Sequence, residues 1–386
     1  MPETHTPLWI SARKLEALLK TAPTPLFVYD EKSLVRAVQA LFAAFSWNLG
    51  FLPRFPVRMA PNPAVLRILR GAGCGALCRD GRELRLAAAC DFAGPAVAYA
   101  PMRPDAAAEQ LARELGAVFV LDGPQVLPAF APEAAVLLLR QKEPLRISGR
   151  PVMGAPVSSA GMDEAELCRL AASLHAGGTR TLGLGMSLGN LCLDEGFYPA
   201  VFAQLAAAAA RLQEKTGLTP QIFDLGGGFG VSYRPDCPGP DLSVCAAALR
   251  AQTCALPEAL RGVRLTMSPG RFLAAGGGVL VCRVLAIKPG PVAVLDVSAA
   301  QCLRLEKRGA YHAAAALRTA GRPPLLQQLT TLEQGAPFAR QVLPQLHVGD
   351  PVVIRMLGAD GRSFSCTSER CPAYLLRADG TIGPIE

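Results

Sequence analysis

The chain has 386 residues, of which 51% are hydrophobic and 18% are charged, and its formal net charge is +8. This length and apolar content predict large buried cores with room for two domains, and they exclude a disordered chain. The arginines are scattered and do not form a run interleaved with aromatic residues, so the charge does not indicate a nucleic-acid surface. The start, MPETHTPLWI, has no basic region followed by an apolar stretch, and no apolar run approaches the roughly 20 residues of a spanning helix. We therefore expect a cytoplasmic protein that does not enter a membrane.

The twelve cysteines are dispersed through apolar segments of a long chain, which favours reduced, buried thiols over a disulfide framework. The closest pairs, Cys74 with Cys78 and Cys366 with Cys371, have the wrong spacing for a zinc knuckle, and no histidine is near them in the sequence. We expect no metal site.

Short apolar runs alternate with helical periodicity from residue 54 onward. Eight such strand–helix units predict a (β/α)8 barrel. The predicted strands are 54–59, 75–78, 96–101, 117–122, 134–140, 181–187, 221–226 and 263–268.

The pattern changes after Arg271 to apolar runs of period two separated by Gly and Pro, which predicts a C-terminal β domain. The expected division is an N-terminal segment, 1–27, packed on the β domain, a barrel, 28–272, and the β domain, 273–386. A strand near residues 26–29 is expected to join the second domain.

Three glycines follow the seventh predicted strand in IFDLGGGFG, at Gly226, Gly227 and Gly228. Glycines let backbone N–H groups approach an anion, and the loops after the seventh and eighth strands are a recurrent phosphate site of this barrel. On its own, such a run of glycines indicates a tight turn. Its position after the seventh strand favours an anion site instead. The eighth strand ends in MSPGRF, which places Arg271 at the same mouth with a forked donor suited to phosphate or carboxylate.

Arg58 stands at the carboxyl end of the first barrel strand, in FPVRMAPNP. Side chains at this end point into the mouth of a parallel barrel, and a guanidinium there is always charged and is neither a base nor a nucleophile. In the second domain, Tyr311 and His312 are candidates for a general acid or base, although ordinary packing is the favoured explanation because nothing in the local pattern demands a catalytic role.

The ordered set of these stretches resembles the diaminopimelate and ornithine decarboxylases, fold-type III enzymes that depend on pyridoxal phosphate (PLP). The resemblance is carried by TPLFVYDEKSLVRAV, NPAVLRIL, DGRELRLAAACDF, DLGGGFGVSY, PGR and LPQLHVGD. It implies an alanine-racemase-like barrel followed by a β domain, and a head-to-tail dimer with pockets at the interface. It also implies that the glycine loop and Arg271 hold a phosphate or another anion.

Five positions depart from the pattern of the family. The lysine that forms the Schiff base with PLP corresponds to Arg58, and a guanidinium cannot supply the free amine. The histidine that stacks on the cofactor corresponds to Ser187, and the glutamate that keeps the pyridine nitrogen protonated corresponds to Ser268. The cysteine donated across the dimer corresponds to Leu332, and the phosphate-binding tyrosine to Asp360. These departures imply that ordinary PLP-dependent decarboxylation is lost.

Three functional hypotheses follow. The favoured one is a pseudoenzyme that acts as a regulatory or scaffolding subunit, as a homodimer or paired with an active decarboxylase. The second is a repurposed, PLP-independent enzyme that binds a carboxylate or phosphate compound through Arg58 and Arg271. Its candidate proton-transfer groups are Asp224, Tyr311, His312 and Glu333. The third is an amino-acid decarboxylase that uses PLP atypically.

For the pocket itself, we expect no covalently bound cofactor and a site that accepts a PLP-like or other anionic ligand. The two arginines, Arg58 and Arg271, should converge with the glycine loop. Because burying like charges is costly, either an acidic side chain such as Asp224 pairs with them or a ligand does.

Overall fold

The computed structural model of the chain describes residues 8–140, 145–147, 150–151, 160–188, 192–234, 237–298, 311–317, 321–333, 339–359 and 371–385. The α-helices in this part of the chain are α1 (Ala12–Leu18), α2 (Glu31–Ala44), α3 (Pro63–Gly71), α4 (Gly81–Ala89), α5 (Ala106–Glu114), α6 (Glu164–Ala176), α7 (Phe197–Thr216), α8 (Leu242–Cys254) and α9 (Gly270–Ala274). None of them combines the length and apolar character that a bilayer crossing requires.

The strands fall into a barrel set, a short hairpin and a sheet set. The barrel strands are β2 (Leu52–Pro56), β3 (Gly75–Cys78), β4 (Val97–Tyr99), β5 (Val118–Leu121), β6 (Ala134–Leu138), β9 (Thr181–Gly185), β10 (Ile222–Asp224) and β11 (Arg264–Met267). The hairpin strands are β7 (Arg146–Ile147) and β8 (Arg150–Pro151). The sheet strands are β1 (Leu26–Asp30), β12 (Gly278–Lys288), β13 (Val292–Leu295), β14 (Ala314–Ala316), β15 (Pro324–Thr330), β16 (Ala339–Pro344), β17 (Pro351–Ile354), β18 (Ala373–Leu376) and β19 (Ile382–Ile385).

The eight barrel strands are parallel and close in the order β10-β11-β2-β3-β4-β5-β6-β9. This confirms the (β/α)8 fold that the sequence predicted, and each of the eight predicted strands contains its observed strand or overlaps it. Because all strands run the same way, their carboxyl ends meet at one mouth, where such barrels place their sites.

One strand–helix unit departs from the predicted alternation. Between β5 and β6 the chain forms only a short 3-10 turn, Pro124–Val126. This connection, residues 122–133, contains Pro124, Pro128 and Pro132. Proline removes a backbone donor and clashes with the preceding turn, so an α-helix cannot run through this segment.

Asn and Asp side chains start the helices that leave the barrel mouth. Asn62 caps α3 by accepting a hydrogen bond from the backbone N–H of Ala64 at 2.9 Å. Asp80 caps α4 in the same way, accepting from Arg82 and Glu83 at 2.9 and 3.0 Å. These caps satisfy the free donors of the first turn and fix where each strand turns into its helix.

The second unit is a mixed β-sheet in the order β16-β15-β13-β12-β1-β18-β19, with β17 pairing with β12 and β14. Strand β1 precedes the barrel in the sequence but joins this sheet, where it runs antiparallel to β12 and parallel to β18. The buried residues Ile10, Leu15 and Val28 share a small core with Val281 and Val353 of the sheet.

The barrel followed by a β domain is therefore confirmed. The exact division at residues 27/28 and 272/273 stays a prediction, because β1 spans the first boundary and α9 spans the second.

Candidate functional site

A cavity of about 200 Å³ opens at the carboxyl ends of the barrel strands. Every one of the eight strands contributes to it, either at its last residues or in the segment that follows. The lining residues are Pro56, Arg58, Met59, Leu77, Arg79, Ala100, Val120, Leu138, Met186, Ser187, Leu188, Asp224, Gly226, Gly227, Gly228, Phe229, Ser268, Gly270 and Arg271.

The structure brings together most of the site residues that the sequence singled out. Arg58, Ser187, Ser268, Arg271 and the glycine loop all line this one cavity. Asp224, a candidate proton-transfer group, lines it as well. The convergence follows from the parallel strand order, since each of these residues follows the end of a strand or ends one.

Arg58 lies in a short 3-10 turn, Val57–Met59, directly after β2. Its electrostatic neighbour is Glu83, a carboxylate on α4 that is only 4% exposed. Glu83 also accepts a hydrogen bond from the backbone N–H of Arg79 at 2.9 Å. Burial raises the pKa of Glu83, and the hydrogen bond from Arg79 and the charge of Arg58 oppose that rise without cancelling it.

Arg79 is a third cavity arginine, which sequence reasoning missed. It is half-buried directly after β3, and its guanidinium also contacts the exposed Met102 at 3.7 Å from the sulfur. The signal was available in the sequence, since Arg79 directly follows the second predicted strand and Arg58 stands at the carboxyl end of the first.

Asp224 has a different partner from the one that the sequence suggested. The cation whose charge acts on it is Arg54 of β2, which is 4% exposed and donates to the carbonyl of Pro95 at 2.8 Å. Burial raises the pKa of Asp224, and the charge of Arg54 and the hydrogen bond from Gly226 partly oppose this rise. The acidic neighbour of Arg58 is therefore Glu83, and Asp224 belongs with Arg54.

The glycine loop is held in a fixed shape by hydrogen bonds around Gly226. Its N–H donates to Asp224 Oδ1 at 3.0 Å, and its carbonyl accepts from the Ser268 N–H at 2.7 Å. Gly226 has φ +69°, and a Cβ there would overlap the carbonyl oxygen of Met186, so only glycine fits. Among the described residues, the N–H groups of Gly227 and Gly228 donate to no protein acceptor. They are thus available to an anion in the cavity.

Tyr311 and His312 do not line the cavity. His312 is fully buried, its Nδ1 lies 2.9 Å from the carbonyl oxygen of Arg355, and its ring packs edge-on against Tyr233. The ring of Tyr311 stacks under the Arg234 guanidinium at 4.7 Å. In both contacts, a residue of the β domain packs against the segment that follows the glycine loop.

The remaining sequence candidates lie away from the cavity or outside the described residues. Leu332 is 42% exposed at the end of β15, and Glu333 beside it is also exposed. Neither lines the cavity. Asp360 lies outside the described residues.

The described lysines are all exposed, and none lines the cavity. They are Lys14, Lys20, Lys32, Lys215 and Lys288. Lys142 and Lys307 lie outside the described residues. Across the described chain, no three His, Cys, Asp or Glu side chains come together in a way that could hold a metal ion.

Comparison with known proteins identifies the family. Residues 32–275 match the family of the pyridoxal-dependent decarboxylases, over its pyridoxal binding domain. The chain belongs to this family.

Two relatives illustrate the range of similar sequences. Protein TabA of Pseudomonas amygdali pv. tabaci is 30% identical over 376 residues, which cover 95% of this chain and 88% of that protein. Diaminopimelate decarboxylase of Methanothermobacter thermautotrophicus is 28% identical over 387 residues, which cover 94% of this chain and 88% of that protein.

Solved structures share the fold. Diaminopimelate decarboxylase from M. jannaschii in complex with L-lysine superposes with a TM-score of 0.80 at 19% identity, covering 97% of this chain and 91% of that one. Lysine/ornithine decarboxylase from Vibrio vulnificus complexed with putrescine superposes with a TM-score of 0.75 at 19% identity, covering 96% of this chain and 98% of that one.

The family depends on PLP, and the cavity fits that cofactor only in part. The free N–H groups of Gly227 and Gly228, together with Arg271, suit a phosphate group. The aldehyde of PLP needs an amine for covalent attachment, and the described lining offers three guanidinium groups and no lysine. The described residues therefore do not fit a covalently held cofactor.

Proposed function

We propose that this chain is a decarboxylase-like protein that has lost PLP-dependent chemistry and acts as a regulatory or scaffolding subunit. The observation that carries the proposal is the lining of the barrel mouth, in which Arg58 occupies the end of β2 and no described lysine is present. A guanidinium stays protonated at every accessible pH, so it cannot serve as the nucleophilic amine of this chemistry.

The other positions around the cavity support the same proposal. Ser187 and Ser268 line it with hydroxyl groups, where the resemblance to the decarboxylases places a stacking imidazole and a carboxylic acid. The fold is preserved around these positions, and a preserved fold without its reactive groups is what a subunit with a binding or assembly role requires. The assembly that we propose is a homodimer, or a heterodimer with an active decarboxylase.

A repurposed, PLP-independent enzyme is the second candidate, and one observation favours it. Asp224 lines the cavity with a pKa raised by burial, which is how a carboxyl group is adapted to proton transfer near neutral pH. Its substrate would be a carboxylate or phosphate compound held by Arg58 and Arg271.

Purified protein supplied with PLP is expected to release no carbon dioxide from diaminopimelate, lysine or ornithine above the level of a protein-free blank. The physical reason is the missing amine at the cavity. The diaminopimelate decarboxylase of Methanothermobacter thermautotrophicus, assayed in parallel, is the positive control. PLP-dependent release by this chain, at a rate comparable with that control, would overturn the proposal and favour the atypical decarboxylase.

A further inference from the structure

The cavity is divided into two halves by the order of the barrel strands. Strands β10, β11, β2 and β3 are consecutive around the barrel and supply the glycine loop and the cavity arginines, Arg271, Arg58 and Arg79. Strands β4, β5, β6 and β9 complete the circle and supply an almost wholly apolar lining. The residues of this second half are Ala100, Val120, Leu138, Met186, Ser187 and Leu188.

The same division continues into the barrel interior below the cavity. On the first half, the interior holds three polar side chains, the buried Arg54 of β2 and Thr266 of β11 and the half-buried Asp224 of β10. The second half supplies Ala98, Val118, Val120, Val136 and Leu138 to one apolar cluster, which is completed by Ile222 of β10. A molecule in the mouth therefore meets charged groups and hydrogen-bond donors on one side and a mostly apolar wall on the other.

From this division we infer that the mouth binds a small anion with an uncharged, apolar body, and that it rejects dibasic amino acids. The inference rests on the proposed function, because it assumes a pocket that holds its ligand without a covalent bond. The phosphate or carboxylate group of the ligand lies against the Gly227 and Gly228 amides and the arginines. Its body lies against Val120, Leu138 and the rest of the second half.

The charges of the described lining explain why an ammonium group is rejected. Asp224 is the one acidic residue in that lining, and it lies on the first half, where Arg54 is its neighbour. An ammonium group on the body of a ligand would therefore be buried against apolar side chains without a carboxylate, which is strongly unfavourable.

The size of the cavity limits the ligand further. An apolar cavity of about 150 Å³ accommodates one benzene molecule. A volume of about 200 Å³ therefore fits one six-membered ring, or an aliphatic group of similar size, together with one phosphate or carboxylate group.

The test is a calorimetric titration of the intact protein with phenyl phosphate, phenylacetate, inorganic phosphate and lysine at matched ionic strength. We expect phenyl phosphate to bind at least tenfold more tightly than inorganic phosphate, phenylacetate to bind measurably, and lysine not to bind. Equal affinity for phenyl phosphate and inorganic phosphate, binding of lysine, or no binding of any probe would overturn the inference.

A matched pair of variants tests the apolar wall itself. Val118 and Val120 lie on the same face of β5, in the same apolar cluster, and only Val120 lines the cavity. Val120→Thr places a hydroxyl against the body of the ligand. It should therefore lower the affinity for phenyl phosphate about tenfold and leave the affinity for inorganic phosphate unchanged. Val118→Thr should lower thermal stability to a similar degree and change neither affinity. If both variants alter phenyl phosphate binding equally, Val120 does not contact the ligand.

These outcomes are separable from failure of the proposed function. A stoichiometric covalent PLP adduct in the cavity would refute the loss of PLP chemistry whatever the titrations give. Conversely, if no probe binds and no PLP adduct forms, the inference fails while the subunit role stands.

Discussion

Arg54→Met is expected to lower the free energy of unfolding by about 1–3 kcal/mol at neutral pH, because it removes a buried guanidinium that attracts the carboxylate of Asp224 and donates a hydrogen bond to Pro95. Arg54 is 4% exposed, and its charge is the main attraction that holds down the pKa of Asp224. Without it, the half-buried carboxylate of Asp224 loses this favourable charge. Urea unfolding measures the loss. Arg264→Met, on the neighbouring strand β11 and exposed, is the matched control and should change stability by no more than about 0.5 kcal/mol.

The pH dependence of this loss identifies its cause. Burial already raises the pKa of Asp224, and removal of Arg54 should raise it further. An acid whose folded-state pKa lies above its unfolded value destabilises the fold as the pH rises through that folded-state pKa. The deficit of Arg54→Met should therefore be largest at neutral or higher pH and should shrink as the pH falls and Asp224 becomes protonated.

Adding Asp224→Asn should recover most of the loss at neutral pH, because the amide oxygen can still accept from Gly226 without carrying a charge. A deficit that is the same at every pH, or that the double variant does not recover, would show that Arg54 acts through packing alone.

Arg58→Lys is expected to restore no measurable decarboxylation of diaminopimelate, lysine or ornithine. The substitution returns an amine to the end of β2, but the resemblance assigns essential acid–base roles to positions that remain changed. Ser268 lines the cavity with a hydroxyl instead of a carboxylic acid, and Leu332 carries no transferable proton. Carbon dioxide release in the presence of PLP measures the outcome.

Arg79→Lys is the matched control for this variant, because it places an amine at the end of the adjacent strand in the same cavity. Neither variant should turn over substrate. Robust turnover by Arg58→Lys alone would mean that Ser268 and Leu332 do not occupy the positions that the resemblance assigns to them.

The fold could be predicted from the sequence because its signals are local. Each barrel strand is a short apolar run, and helices such as α3 and α4 begin at the Asn or Asp that follows it. The missing helix between β5 and β6 was the exception. The eight predicted strand–helix units imply a helix there, but the prolines at 124, 128 and 132 prevent one.

The site could be predicted only in part, because charge pairing depends on which strands become neighbours. Arg58 and the glycine loop stand at strand ends and were found from position alone. Glu83 lies within DGRELRLAAACDF, one of the stretches that carry the resemblance, but its role beside Arg58 depends on the packing of α4. Arg54 and Asp224 are separated by 170 residues and become neighbours only when the barrel closes through β11.

The division of the cavity into a charged half and an apolar half was also beyond the sequence. It depends on the circular order of the strands. Because β11 pairs with β2, the glycine loop and Arg271, which come late in the barrel sequence, lie beside the end of its first strand. No single segment contains that information.

Incubating the protein with equimolar PLP, reducing with borohydride and mapping modified lysines by mass spectrometry tests whether this pocket forms a Schiff base. We expect no stoichiometric adduct, and only trace labelling of exposed lysines that is insensitive to Arg271→Ala. A single stoichiometric pyridoxyl group on one lysine, Lys142 and Lys307 included, that is lost in the Arg271→Ala variant would contradict this expectation.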